Sequence, residues 1–244
     1  MKTRTLILSV AMLFLVSVGA KAQTATQILA KVDAIASAPH DVTQKLTIVL
    51  IDKNGRKQSR KAVMWQKGSE KRLFRFTAPA SYKGIGILSL PNDVMYLYMP
   101  AYGRERRIAS SVKNQKFAGT DLTYDDMEAS KYSEKYTPEI IETTSTYYKL
   151  KMTPKSKSSP YSKAILKVDK TNYTPVYVEF YDKGGHKVKT ISTQFVKQGK
   201  YWTAQKITVK DLKRNHTTIM ESTDVKYDTD LSDNIFTVRN LKQI

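Results

Sequence analysis

Arg104, Arg106 and Arg107 stand in one short run, and Lys113 and Lys116 follow in the same stretch. Three guanidiniums so placed can clamp a phosphate or a carboxylate bidentately. Asp121, Asp125, Asp126 and Glu128 come next. A carboxylate pair such as Asp125–Asp126 can do acid–base work or bind a hard cation. Adjacent residues of a short helix point in different directions, so a capping role suits the pair better. Thr123 or Asp121 is placed to cap a turn over Tyr124–Met127. The plainer reading of the arginines is a solvated turn and edge strand with these acids as their local partners.

Little other chemistry is on offer. The chain has no Cys, which excludes disulfides, thiolate metal sites and a Cys nucleophile. Three histidines, His40, His186 and His216, leave few ways to build a triad or a His-based metal site. No G-x-S-x-G, H-E-x-x-H, Walker or EF-hand pattern occurs. Lys83-Gly84-Ile85-Gly86 lacks the helix that a phosphate loop requires, and Tyr96, Tyr98 and Tyr102 read as half-buried strand packing. The chain is therefore expected to be no enzyme, with no cofactor and no metal.

The elements that must position the central segment are mostly strands. Hydrophobic residues make up 41% of the 244 and charged residues 26%, ordinary globular usage. Thr24 to Ser37 reads as one amphipathic helix, with Ile28, Leu29, Val32 and Ile35 on its apolar stripe, Thr24 or Thr26 at its start and Pro39 beyond its end. From Val42 the period becomes two, and Asp52-Lys53-Asn54-Gly55 predicts a hairpin with a type I′ turn. Short strands with turn signals recur to the C-terminus, giving about 10–11 strands, an irregular insertion at 100–131 and no internal boundary. This pattern predicts an all-β barrel or sandwich.

The N-terminus reads as an address. Lys2 and Arg4 precede an apolar run, Leu6 to Val18, and Ala20-Lys21-Ala22 is a small-residue cleavage site. The run is shorter than the ~20 residues a spanning helix needs. Residues 1–22 are thus expected to be a cleaved signal peptide and 23–244 a single domain. The formal charge of +19 falls to +16 on cleavage, because Lys2, Arg4 and Lys21 are lost. For an exported protein, anionic lipid headgroups and acidic polymers are likelier partners than nucleic acid.

At Pro100-Ala-Tyr-Gly103-Arg104-Glu-Arg106-Arg107-Ile, followed by Phe117-Ala-Gly119-Thr-Asp121-Leu-Thr-Tyr124-Asp125-Asp126-Met, the chain resembles a known family. It is similar to the periplasmic outer-membrane lipoprotein-sorting proteins, in the less characterised branch of the LolA-like superfamily. Met99 replaces that branch's usual Leu before Pro-Ala, and Leu122 stands at its Phe-type position. Phe76-x-x-Pro79 with Lys83-Gly84, and the ending Asn234-Ile-Phe236 through Leu241, extend the likeness over most of the chain beyond residue 22. The resemblance implies a half-open antiparallel β-barrel, mainly β with few helices, covered by the N-terminal helix and a short helical insertion. It implies a monomeric periplasmic carrier or chaperone of a Gram-negative envelope, sheltering acyl chains of lipoproteins or lipids in an apolar cavity on their way to the outer membrane. The lid-helix residues Ile28, Leu29, Val32 and Ile35 would then meet ligand. Pro100, Gly103, Arg104, Arg106, Arg107, Gly119, Asp121, Tyr124, Asp125 and Asp126 would be structural or docking residues. The alternative is a non-enzymatic periplasmic adaptor that docks on an anionic membrane surface, an envelope complex or a transporter protein through the basic face Arg104–Lys116.

N-terminal sequencing of protein from the envelope fraction is expected to begin at Gln23. A product that keeps Met1 in the inner membrane contradicts the cleaved-signal reading.

Overall fold

A computed structural model describes residues 23–243; the expected signal peptide lies outside the described residues. The helix forms as the periodicity predicts. Helix α1 spans Ala25–Ala36 and starts at Thr24, whose hydroxyl accepts from Gln27 N–H while Gln27 Oε1 accepts from Thr24 N–H. This reciprocal cap satisfies two of the donors that a helix start leaves free. Ile28, Leu29 and Val32 are fully or almost fully buried, and Ile35 is half-buried.

Thirteen strands form one antiparallel sheet. They are β1 (Asp41–Ile51), β2 (Lys57–Lys67), β3 (Lys71–Ala78), β4 (Gly86–Leu90), β5 (Val94–Met99), β6 (Arg104–Arg107), β7 (Tyr136–Thr143), β8 (Tyr147–Pro154), β9 (Tyr161–Asp169), β10 (Pro175–Asp182), β11 (Lys187–Gln198), β12 (Tyr201–Asp211) and β13 (His216–Tyr227). Their order is β6-β5-β4-β3-β2-β1-β13-β12-β11-β10-β9-β8-β7, so two meanders meet where β1 pairs with β13. The sheet stays open between β6 and β7, as the half-barrel reading expects. The strand count exceeds 10–11, in part because β6 is four residues, three of them Arg, and carries no apolar alternation to reveal it.

The β1–β2 turn also differs from expectation. Gly55 has φ +78°, but Asn54 is not left-handed, so the turn is not type I′. Asp52 sets it instead: its carboxylate accepts from Asn54 N–H and Arg56 N–H and pairs with the Arg56 guanidinium. The Asx geometry replaces the second positive φ that type I′ demands. The β10–β11 turn repeats the device with Asp182, Gly184 and His186.

Strand alternation puts the apolar residues on the concave face, in two clusters. Helix α1 covers one of them, formed by Leu150, Met152, Ala164, Leu166, Val168, Val178 and Phe180 from β8–β10. The insertion covers the other: Ile108, Phe117, Leu122 and Met127 pack on Leu46, Ile48, Phe74, Phe76, Ile87 and Met95. Phe117 stacks on Phe76, ring centres 5.6 Å apart. Ile191 of β11 packs against both clusters and marks their seam.

The opposite face is covered over β3–β5, with Trp65 of β2 at the margin. There the C-terminal tail, with helix α4 (numbered here after α2, Tyr124–Met127, and α3, Tyr132–Lys135) at Val238–Leu241, packs Phe236 and Leu241 on Leu73, Leu88 and Tyr98. Gly86 makes the approach possible, since a Cβ there would meet Phe74 O at 2.9 Å and Leu241 Cδ1 at 3.0 Å. Among the described residues no helix is long and apolar enough to cross a membrane. Leu241 is completely buried. Leu241→Ala is expected to cost about 2–5 kcal/mol by the usual transfer and cavity cost, read as a lowered urea midpoint. Unchanged stability would mean that the tail does not cover β3–β5 in solution.

Candidate functional site: the insertion clasped to the concave face

The insertion is irregular chain laid on an apolar sheet, so its buried backbone groups need partners. Part of the need is met locally. Phe117 N–H donates to Leu122 O, Tyr124 N–H to Gln115 O and Asp125 N–H to Lys113 O. Thr123 caps α2 through its hydroxyl and Asp126 N–H, and Asp126 Oδ2 accepts from Thr123 N–H in return. Asp121 takes no part in the cap.

Long cations on inward-facing strand positions supply the rest. Arg60 of β2 donates to Ala118 O, and its guanidinium carbon lies 3.6 Å from the centre of the Tyr82 ring. Arg72 of β3 donates to Met127 O and Glu128 O and is held by Gln66 Oε1 at 2.8 Å. Burial pulls the Arg72 guanidinium down to about 10, against the opposing pull of Glu128, and it stays charged at neutral pH. Lys189 of β11, only 2% exposed, puts its Nζ 2.9 Å from both Asp126 oxygens and 4.3 Å from the centre of the Phe180 ring. Burial alone would raise the Asp126 carboxyl; Lys189 and the Thr123 donors outweigh it and hold it below the usual range. Burial likewise opposes the Lys189 ammonium, and Asp126 outweighs it and raises it.

The other acids are matched in the same way. Asp121 is fully buried; its Oδ2 lies 2.6 Å from His216 Nδ1 and accepts from Thr218 Oγ1 at 2.7 Å. Asp125 pairs with Lys135 at 2.8 Å, and buried Glu128 pairs with Lys113 at 2.7 Å and Lys135 at 2.9 Å. Lys116 pairs with Asp211 at 3.0 Å. Asp125 and Asp126 thus point to different cations and form no dyad.

The arginines are not the partners of these acids. Arg104 and Arg106 lie on the concave side of exposed edge strand β6 and Arg107 on the other side, where Glu105 pairs with Lys242. Lys113 and Lys116 turn inward, so Arg104–Lys116 does not present one continuous basic face. Pro100 opens a 3₁₀ turn that Gly103 closes at φ +64°, and Gly119 is left-handed at φ +75°. Tyr124 is half-buried on Phe117. Lys189, Arg60, Arg72, Lys135 and His216 do the clasping and were not picked out from the sequence. For Arg60, Arg72 and Lys189 the signal was a charged residue at an inward position of an alternating strand, as in Arg60-x-Ala62-x-Met64; Lys135 lies in α3 and has no such pattern.

Helix α1 is joined to the insertion by one carboxylate. Asp33, 5% exposed, accepts from Tyr132 N–H at 2.8 Å and Ser133 N–H at 3.0 Å, the start of α3. Two clefts open beside these elements. One of about 460 Å³ is lined by Lys113, Glu128, Lys135, Tyr136, Tyr161 and the 154–160 loop; the other, about 550 Å³, by Pro39, His40, Glu70 and Lys71 among others. Both linings are about evenly divided between polar and apolar surface. Among the described residues His40, Asp41 and Asp230 bring possible ligand atoms within 4.8 Å of one another. The Asp41 oxygens already accept from Thr229 and Leu231, which ties β1 to the chain leaving β13.

Asp126→Asn leaves Lys189 buried beside a neutral partner and is expected to destabilise by about 3–5 kcal/mol. Asp126→Asn combined with Lys189→Met restores much of the loss. The carboxyl is depressed in the fold, so its contribution is present above the ordinary aspartate range and lost as pH falls through the lower folded value. The gap between wild type and Asp126→Asn therefore closes below about pH 4. A gap unchanged across thermal melts in this range would refute the buried pair.

A family model described as "Uncharacterized protein" matches residues 68–243. No curated protein matches the chain. Among solved structures, an outer membrane lipoprotein-sorting protein domain from Vibrio parahaemolyticus is 25% identical with TM-score 0.81, over 90% of this chain and 100% of that one. A LolA superfamily protein from Nitrosomonas europaea is 25% identical with TM-score 0.75 over the same shares. A DUF1329 family protein from Desulfovibrio piger, 22% identical with TM-score 0.81 and again covering 90% and 100%, shares the fold. The chain belongs to this uncharacterized protein family, a branch of the LolA-like superfamily of outer-membrane lipoprotein-sorting proteins.

Proposed function

We propose that the protein is a non-enzymatic periplasmic carrier that shelters acyl chains of lipoproteins or lipids against the concave face beneath α1. The observation that carries this reading is the way α1 sits. Its Ile28, Leu29 and Val32 cover a continuous apolar surface of β8–β10, yet few polar groups tie it down. These are Asp33 at the start of α3, Lys31 with the Tyr173 hydroxyl at 3.0 Å, and Gln23 with the Tyr148 and Tyr173 hydroxyls. Displacing the helix would expose apolar surface contiguous with half-buried Ile191, Ile207 and Met220 at the seam. An acyl chain laid there gains about 0.8 kcal/mol per buried methylene, enough to replace the helix contacts. Reversible loading requires such a movable cover.

A second reading, the adaptor, draws on the other half of the concave face. Side chains of the insertion fill the surface over β1–β5, and the clasp of buried ion pairs holds them there. A protein with that half permanently filled can act by binding partners instead of cargo.

Native mass spectrometry with lipid extraction of protein taken from the periplasm separates the two. Co-purified lipid is expected, and a clean apo mass would leave the adaptor ahead. Val32→Asp is expected to change lipid retention more than melting temperature. A collapse of melting with no separable effect on lipid would make α1 fixed core.

A further inference from the structure

The thirteen strands turn at two rims, and the rims differ in charge. One rim carries all six hairpin turns that follow β1, β3, β5, β8, β10 and β12. It holds Lys53 and Arg56 in the first, Lys83 in the second, Lys155 and Lys157 in the fourth, Lys183 in the fifth, and Lys213 and Arg214 in the sixth, against two acids, Asp52 and, at the start of the fifth turn, Asp182. The other rim, at 68–70, 91–93, 144–146, 170–174 and 199–200 together with the chain leaving β13, carries Lys170 and Lys200 against Glu70, Asp93, Asp228 and Asp230. On the basic rim Arg56 is neutralised by Asp52 and Lys213 by Asp182. Lys53, Lys83, Lys157 and Lys183 are exposed and take part in no ion pair among the described residues.

The same rim carries two of the three exposed large hydrophobic side chains. Leu212 is 44% exposed beside Lys213 and Arg214, and Tyr102 is 66% exposed in the β5–β6 turn next to Arg104. Lys213 and Arg214 beside Leu212 are held by Asp182 and Asp121, whereas Arg104 beside Tyr102 has no ion-pair partner among the described residues. An exposed apolar tip beside a free cation suits a lipid headgroup layer, where the tip enters the interface and the cation meets phosphates. A merely solvated surface would spread its lysines over both rims.

We propose that this hairpin rim docks the protein on an anionic phospholipid surface. The rim is the row of turns at the strand ends and not the concave face, so docking and acyl shelter use different parts of the molecule. Cations in five of the six turns act together, because their summed field extends about a Debye length, roughly 8–10 Å at physiological salt.

The test is sedimentation with phosphatidylglycerol-containing vesicles and with vesicles of phosphatidylcholine alone, at low and high salt. Wild type is expected to pellet with the first and not the second, and to be released by salt. Lys53→Ser, Lys83→Ser and Lys183→Ser together are expected to weaken binding on the order of 100-fold, from the loss of three near-surface charges. Their melting temperature is expected to stay unchanged, since none has an ion-pair partner. Lys197→Ser, Lys200→Ser and Lys226→Ser remove the same net charge near the opposite rim and are expected to leave binding in place. Equal loss in the two triple variants would show that overall charge and not the rim is responsible, and would overturn the proposal. Wild type that ignores phosphatidylglycerol vesicles would overturn it as well. Either failure leaves the carrier reading standing, because lipid co-purification reports on the concave face alone.

Discussion

The fold depends on covering a concave apolar sheet with chain that is mostly not regular structure. A sheet with one apolar face needs a second layer. Here α1 supplies part of it cheaply, because a helix satisfies its own backbone. The insertion cannot, and a buried unpaired amide or carbonyl costs more than a typical hydrogen bond returns. The strands answer with Arg60, Arg72 and Lys189, which reach in from positions where an aliphatic residue would otherwise stand. Each brings donors to carbonyls or a carboxylate of the insertion. The arrangement holds only as a set, since a buried cation without its acid is a penalty and not a contact.

An open sheet of this size also has two edges to protect from pairing with other chains. At one edge β6 is Arg104-Glu105-Arg106-Arg107, so a second copy of β6 added there would meet mostly like charge. At the other, β7 includes Pro138 and carries Glu139 and Glu142, which pair with Lys151 and Lys149 of β8. Proline removes a donor and the acids keep the edge hydrated. The arginines of the family motif thus have a physical role that needs no ligand. The same Arg-rich run that suggests an anion clamp in the sequence makes a charged edge strand in the structure.

What was legible in the sequence was whatever has a period. Helix α1, the strand alternation and a capped turn over Tyr124–Met127 follow from local rules; the sequence offers Thr24 or Thr26 for the first cap and Thr123 or Asp121 for the second, and the structure uses Thr24 and Thr123. Three things were hidden for physical reasons. Strand β6 lacks alternation because it is an edge with little to bury. The Asn54-Gly55 turn was read from its strongest dipeptide, whereas the Asp52 side chain decides it. The partners of Asp121, Asp126 and Glu128 lie up to 97 residues away, at Thr218, His216, Lys189 and Lys113, so no spacing could pair them. Locally, Arg104–Arg107 looked the better match. Fold-level register is what sets Lys189 opposite Asp211 and Phe180 and so beneath α2.

The two covers of the concave face differ in kind, and that difference sets which of them is held more firmly. Removing the insertion would break several buried ion pairs at once, each worth kilocalories only while both partners stay in place. Removing α1 breaks one buried carboxylate–backbone contact, at Asp33, and a few hydrogen bonds to tyrosine hydroxyls that water can replace. The apolar contacts of Ile28, Leu29 and Val32 are non-directional, and an acyl chain can substitute for them with little change in free energy. The energetic asymmetry therefore makes α1 the more easily displaced of the two covers, with the clasped insertion as the fixed wall beside it. Asp33 sits where the two meet and couples the position of the helix to the start of α3, so displacing α1 frees the N–H groups of Tyr132 and Ser133 at the boundary of the wall.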